Sequence, residues 1–596
     1  MGLFDGLARE STYISAIART LIGMRGVKPD SRRTIVDIVE DHARAIPHAI
    51  AFYSHDATLS YGALDAKANR IAHWAWRAGI KRGDAVALLM ENRPDYVATW
   101  LGLLKVGAVV ALINTNLRGA ALAHSIAIAD AHHVIVGAEL AEIYLQAAPQ
   151  IAAHPIGWSA GGTLPGLQNL DLALAAVCAG PADSNWRAEV TCKDKAFYIY
   201  TSGTTGLPKA SNFTHLRMLY MMHGFAGGLH SKAADRMYNV LPLYHSAGGV
   251  CALGPALLTG GSVILKRKFS VHEFWDDVHR YEATMFQYIG ELCRYLLNAP
   301  TTRFEHEHNL RVITGNGLRP EIWTNFQQRF AIPRIIEFYG ATEGNVSMLN
   351  YDGKPGAVGR IPSYMRAILT TRIVKFDIEK ETPVRGADGR CIECAPNEVG
   401  EVIGRISDEP GKTFDGYTKQ SDTQKKVLHD VFEAGDSWFR TGDLMRRDEL
   451  GYFYFIDRIG DTFRWKGENV ATSEVSEALG VVAGVKEANV FGVEVPGMDG
   501  RAGMAALVTA PGFDMSRLAD ALAGSLPAYA RPVFVRLLPA LEITGTFKQR
   551  KVELVQAGFD PAEIGDPLFW LDHATGQYEP LTAEKYAEII TGRVKL

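Results

Sequence analysis

The 596-residue chain has little cysteine: Cys178, Cys192, Cys251, Cys293, Cys391 and Cys394 are all it carries. So few thiols in so long a chain exclude a disulfide-stapled fold and fit a reducing compartment. Cys391 and Cys394 form a C-x-x-C, but no second C-x-x-C or H-x₃-H pair stands nearby. A zinc site would therefore lack half its ligands, and two reduced thiols on a strand are expected. Net charge is nearly absent. Against 62 Lys and Arg stand 66 Asp and Glu, leaving −4 and no electrostatic case for a nucleic-acid binder. The N-terminus lacks the basic, apolar and cleavage regions of a signal peptide, and Gly6 occupies the Ser/Thr position of the myristoylation pattern. Long apolar runs are also lacking. The longest, Tyr96 to Ile113, is broken by Lys105 and contains Gly102 and Gly107, which predicts a buried helix running into a buried strand. Between Tyr13 and Met24, residues Ile14, Ile17, Leu21 and Ile22 fall near helical spacing with Arg19 among them. A helix packed on the protein's own core is expected there, with a membrane surface as the alternative. A cytoplasmic location, with peripheral contact on the inner face of a membrane, is the corresponding expectation.

What is present is ordinary globular material, 47% hydrophobic and 21% charged. At about 150 residues per domain the length allows roughly four units. Residues 34–160 alternate amphipathic helices with short apolar strands: Val86–Met90 and Val109–Ile113 read as strands, Tyr96–Lys105 as a helix. That alternation predicts a parallel α/β unit. Residues 161–195 read as a connection, after which the pattern resumes to about Tyr454. Residues 457–555 have helices and strands of their own, and a short tail follows.

Gly is abundant, at 58 residues, and the first informative cluster is Phe197-Tyr-Ile-Tyr-Thr-Ser-Gly-Thr-Thr-Gly-Leu-Pro-Lys209. A β-rich run feeds a loop of Ser, Gly and Thr that ends in lysine. Glycine lets backbone N–H groups approach phosphate oxygens, hydroxyls add donors and lysine adds charge. The spacing is not that of a P-loop, because Gly203 and Gly206 are three apart and Ala210 follows Lys209.

This run, Tyr200 to Lys209, resembles the signature loop of the adenylate-forming enzymes: acyl-CoA synthetases, luciferases and nonribosomal-peptide adenylation domains. The resemblance implies that Thr201, Ser202, Gly203, Thr204, Thr205, Gly206 and Lys209 wrap the β- and γ-phosphates of ATP. Further motifs follow in the family's order. Gly315-Asn316-Gly317-Leu318 resembles the segment lining the adenine pocket, and it is no Rossmann fingerprint, since Pro320 replaces the third glycine. Phe338-Tyr-Gly-Ala-Thr-Glu-Gly344 resembles the second nucleotide motif. By that resemblance Tyr339 stacks on adenine beside Gly340, Thr342 contacts phosphate and Glu343 holds Mg²⁺, an ion that takes few carboxylates besides phosphate oxygens. Phe439-Arg-Thr-Gly-Asp-Leu444 is similar to the ribose motif, which implies that Asp443 accepts from both ribose hydroxyls and that Arg458 contacts ribose where the hinge begins. Leu541-Glu-Ile-Thr-Gly-Thr-Phe-Lys548 fits the catalytic-lysine segment, with Lys548 in that role and Lys551 as its nearest competitor.

Two departures from the common pattern, Phe547 before Lys548 and Gly460 at the hinge, are shared with the fatty-acid transport proteins and very-long-chain acyl-CoA synthetases. The run Asp457 to Val475 and the tail Pro567 to Leu596 resemble that branch too. The implied fold is α/β. It has a large N-terminal domain of layered α/β subdomains (1–456), a hinge (457–460), a small mobile α+β lobe with the catalytic lysine (461–555) and a tail (556–596). The implied activity is ATP-dependent fatty acid–CoA ligation through acyl-AMP, with ATP, Mg²⁺ and CoA. The alternatives are a ligase for another acid (bile-acid-like, aromatic or medium-chain) and a fatty-acid uptake protein acting by membrane binding. Pro242-Leu-Tyr-His-Ser-Ala-Gly-Gly249 resembles the segment beside the carboxylate pocket, which makes His245 a lining residue. Arg464 is expected to enter the site for the thioester step, and Trp465 beside Arg464 and Lys466 to offer an aromatic and two cations to CoA. Glu305-His-Glu-His308 reads as a charged connection rather than a metal site.

Overall fold

The computed structural model describes residues 3–55, 57–201, 207–378, 380–409, 411–498, 500–542, 549–594 and 596. The chain forms two compact units. The first comprises residues 1–318, 322–360 and 405–427, and the second comprises 319–321, 361–404 and 428–596.

The first unit is built on two sheets. In one, strands Ala85–Leu89, Val109–Leu112, His133–Gly137, Ile156–Ala160 and Lys195–Thr201 pair in parallel, as the alternating pattern predicts. The last of them then turns back antiparallel into Lys209–Thr214. In the other, Ile50–Ser54, Ser262–Leu265, Arg236–Asn239, Met285–Ile289, Val312–Asn316 and Ile335–Gly340 run parallel in spatial order. Helix Pro94–Lys105 is buried at every position but Asp95, because its mostly apolar sequence has core on nearly every side. Phe52, Leu88, Leu112, Phe197, Phe213 and Val263, drawn from both sheets, share one core with the helices between them.

Helix Leu3–Gly23 packs on the first unit, as expected. It seats Tyr13 and Ala16 there, with Tyr13 edge-on to Tyr351 and Arg19 Nε donating to Gly227 O at 2.9 Å. Of the apolar residues near helical spacing, Ile14, Leu21 and Ile22 face outward. Among the described residues no helix is long and apolar enough to cross a membrane.

The second unit holds strands Thr371–Val374, Gly400–Arg405, Ser437–Arg447 and Tyr452–Arg458 in one sheet. A five-stranded sheet follows the order Val485–Val493, Ala502–Thr509, Phe534–Leu537, Leu568–Asp572 and Gln577–Pro580. Its last two strands come from the residues read as a tail. Cys391 and Cys394 are free and buried, in an isolated bridge and a loop rather than on a regular strand. The Glu305–His308 segment holds no metal-binding group among the described residues. Glu305 is buried against Arg329, and His308 pairs with the Phe330 carbonyl.

Candidate active site

In the first unit Thr201 and Lys209 stand opposite each other in a pair of antiparallel strands. Ser202, Gly203, Thr204, Thr205 and Gly206 lie outside the described residues. Lys209 Nζ is 2.9 Å from Asp422 Oδ1 and 5.8 Å from the centre of the Tyr417 ring. The Tyr417 hydroxyl donates to Glu343 Oε1 at 2.9 Å. Burial, and next the neighbouring Glu343 charge, push the Tyr417 phenol far up, so it stays a donor. Thr342 is buried, and its hydroxyl lies 3.1 Å from that of Ser246. Arg217, from helix His215–Leu229, donates to Ala341 O at 3.0 Å and also to Gly344 O. A buried guanidinium thereby clamps the turn that presents Thr342 and Glu343. Thr201, Lys209, Thr342 and Glu343 thus stand beside Ser246 of the Pro242–Gly249 segment and beside three residues without an evident motif, Tyr417, Asp422 and Arg217.

Gly315 and Asn316 end one parallel strand, and Tyr339 and Gly340 end its neighbour. The carboxyl ends of parallel strands are where open α/β sheets bind ligands. Gly315 is obligatory, because a Cβ there would lie 2.3 Å from the Tyr288 carbonyl. Gly317 closes the turn. His245 is half-buried and opens a π-helical turn, Ala247–Cys251, with Nδ1 accepting from the Ala247 N–H at 3.3 Å. Such turns recur at functional sites.

In the second unit Asp443 and Arg458 are direct partners across antiparallel strands, with carboxylate and guanidinium 3.6 Å apart. Each of the two ribose candidates is thus held beside the other. Gly460 has φ of +93°, a conformation costly for any residue with a side chain, which suits a pivot. Arg464 lies on hairpin strand Phe463–Trp465. Trp465 does not meet the expectation of an aromatic surface for CoA. It is 2% exposed within the core of the five-stranded sheet, because strand alternation sends it inward with Phe463 while Arg464 takes the other face. Lys548 lies outside the described residues. Beside it, Arg550 N–H bonds to Glu542 O at 2.9 Å, and the Lys551 ammonium is committed to Asp461 at 3.0 Å and Thr472 at 2.9 Å. The competitor named for the catalytic role is thus paired within its own unit.

The class these parts define is that of the AMP-forming acid–CoA ligases. The family model for AMP-binding enzymes matches residues 39–407, and that for the AMP-binding enzyme C-terminal domain matches residues 474–548. Long-chain fatty acid transport protein 6 of Mus musculus is 41% identical over 570 residues, covering 94% of this chain and 91% of that protein. Long-chain fatty acid transport protein 1 of the same organism is 42% identical over 576 residues, covering 94% and 88%. Among solved structures, ATP-bound MatB from Rhodopseudomonas palustris is similar with a TM-score of 0.74 at 24% identity, over 88% of this chain and 98% of that one. A fatty acyl CoA synthetase from Mycobacterium tuberculosis has a TM-score of 0.60 at 24% identity, with the same coverage. The chain belongs to the AMP-binding enzyme family, in the branch of the long-chain fatty acid transport proteins.

Proposed function

We propose that the chain is a long-chain fatty acid–CoA ligase. The observation that carries the reading is the grouping of Lys209, Thr201, Thr342 and Glu343 around Tyr417, a phosphate- and cation-holding arrangement in a chain more than two-fifths identical to a long-chain fatty acid transport protein. The carboxylate of the acid attacks the α-phosphorus of ATP, and the bond to the β-phosphate breaks with loss of pyrophosphate. The CoA sulfur then attacks the acyl carbonyl, and AMP leaves. Both steps depend on placement and charge stabilisation. Lys209 and the loop it closes hold the leaving phosphates, Tyr339 and Gly315–Gly317 take the base, and Asp443 with Arg458 take the ribose. Glu343, oriented by Tyr417, fits a single carboxylate ligand for Mg²⁺, which would neutralise phosphate charge. Lys548 stabilises charge shared by carboxylate and α-phosphate, and pivoting at Gly460 exchanges it for Arg464 in the thioester step. The test is pyrophosphate release with a panel of acids. Fatty acids of sixteen or more carbons should give the highest kcat/KM, with CoA-dependent thioester as the product. Preference for aromatic or short acids would overturn the chain-length reading.

A second reading, collection of the acid at an anionic bilayer, is favoured by helix Leu3–Gly23. Leu7, Ile14, Leu21 and Ile22 are 55 to 73% exposed along its outer side, and the exposed cations Arg25, Lys28 and Arg32 follow. An apolar stripe flanked by basic residues is the pattern of an interfacial helix. The chain should co-sediment with phosphatidylserine-containing vesicles and weakly with pure phosphatidylcholine. Ile14→Asp with Leu21→Asp should abolish binding while leaving turnover of a soluble acid intact. Equal binding by the double variant would remove this reading.

A further inference from the structure

Glu337 is a buried carboxyl that the reaction as derived does not use. It is 2% exposed and stands opposite Gly315 in the parallel pair that ends in Asn316 and Gly340. One of its oxygens accepts the Leu318 N–H at 3.0 Å, and the other accepts the hydroxyl of Tyr288, itself fully buried. The segment Gly315–Leu318 is pressed close from below as well. A Cβ on Gly290 would lie 1.7 Å from the Gly317 carbonyl oxygen, and one on Gly315 would lie 2.3 Å from the Tyr288 carbonyl. Two residues beyond Glu337, on the same face of the same strand, stands Tyr339. One carboxyl therefore fastens the segment on one side of the base pocket to the strand that carries the aromatic on the other. An apolar residue would fill the same space at lower cost in desolvation, so a buried acid here points to a task.

We propose that Glu337 is a positioning residue of the nucleotide site: with Tyr288 it holds Gly315–Leu318 in register with Tyr339, shaping the pocket for a purine before the nucleotide arrives. The proposal rests on the ligase reading only for the identity of that nucleotide. Tyr288, from strand Met285–Ile289, and Cys293, from helix Gly290–Asn298, are the titratable groups that face Glu337, together with the backbone N–H groups of Gly317 and Leu318. No cation is among them. Burial pushes the Glu337 carboxyl up to about 8, and pushes the Tyr288 phenol and Cys293 thiol well up. At neutral pH the site is therefore uncharged. Above about pH 8 it gains a buried negative charge close to where an anionic nucleotide binds.

The test is calorimetric titration of the full chain with AMP between pH 7 and 9.5. Glu337→Ala should weaken AMP roughly tenfold at pH 7, the loss of a buried hydrogen bond to the loop, without changing KM for the acid at saturating ATP. Glu337→Gln keeps an acceptor for Leu318 and should bind within about twofold of the wild type at pH 7. The wild type should lose affinity with a midpoint near pH 8, whereas Glu337→Gln should be flat. Tyr288→Phe, which removes only the hydroxyl, should fall between the two, and with Glu337→Gln it carries the test if the alanine variant does not fold. Unchanged AMP affinity in folded Glu337→Ala, or wild-type pH dependence in Glu337→Gln, would overturn the proposal. A wild type that binds AMP but activates no fatty acid would instead overturn the ligase reading, and the AMP titrations would still decide the role of Glu337.

Discussion

Lys548→Ala should lower the rate of acyl-AMP formation by about 10²–10³-fold while largely sparing thioester formation from supplied acyl-AMP. The asymmetry follows from charge. In the first step two anions, carboxylate and phosphate, approach each other, and only a positioned cation offsets their repulsion as the new bond forms. In the second step a sulfur attacks a neutral carbonyl and AMP departs, so the same ammonium has less to stabilise. Single-turnover assays of each half-reaction separate the two. Equal loss in both would mean that Lys548 acts on folding or on a shared binding step. Lys551→Ala supplies a contrast. Its ammonium is tied to Asp461 and Thr472, so its loss would disturb the region around the hinge rather than the chemistry.

The second large effect concerns stability. Lys105 is itself buried at the end of helix Pro94–Lys105, and its ammonium meets Glu40 at 2.7 Å, Asp65 at 2.6 Å and the Asn69 carbonyl at 2.7 Å. Arg187 extends the network, at 2.7 Å from Glu40 and 3.2 Å from Asp37. Lys105→Met keeps most of the volume and removes the charge, leaving two carboxylates without their common cation. The expected cost is about 3–5 kcal/mol, read from urea unfolding. A cost below about 1 kcal/mol would show that the network is as solvated as a surface pair. The pH dependence has a definite sign. Burial opposes ionisation of Glu40, yet Arg187 and Lys105 overcome it and hold the carboxyl below the ordinary glutamate value. This contribution is complete above about pH 4.5 and is lost as pH falls through the lowered value in the folded protein. Wild type should therefore lose more stability on acidification than Lys105→Met.

The candidate site was read from short contiguous runs, the kind of pattern that adenylate chemistry constrains. The glycine loop, the Tyr339–Glu343 turn and the Asp443 and Arg458 positions each depend on neighbours close in sequence, and the strands fell where apolar alternation put them. The residues that orient those groups were not legible. Tyr417 reaches Glu343 across 74 positions, and Arg217 reaches the Gly344 carbonyl across 127. No local pattern encodes such pairings. Trp465 misled because an aromatic between two cations reads as a surface patch, whereas strand alternation sent it inward. The first helix packs on the core as its spacing predicts, but that spacing does not tell which of two stripes is buried.

The last strands of the five-stranded sheet carry a consequence for anyone reshaping the molecule. Leu568–Asp572 pairs with Phe534–Leu537, and the Tyr578 hydroxyl reaches back to the Pro532 carbonyl at 2.7 Å. The segment that ends the chain is thus a wall of the five-stranded sheet. Trimming the chain after about residue 556 to obtain a minimal enzyme would strip a hydrogen-bonded edge, remove Trp570 and Ile589 from the core and uncover Phe534. Strands 485–537 and the segment that looks dispensable share one sheet and one core.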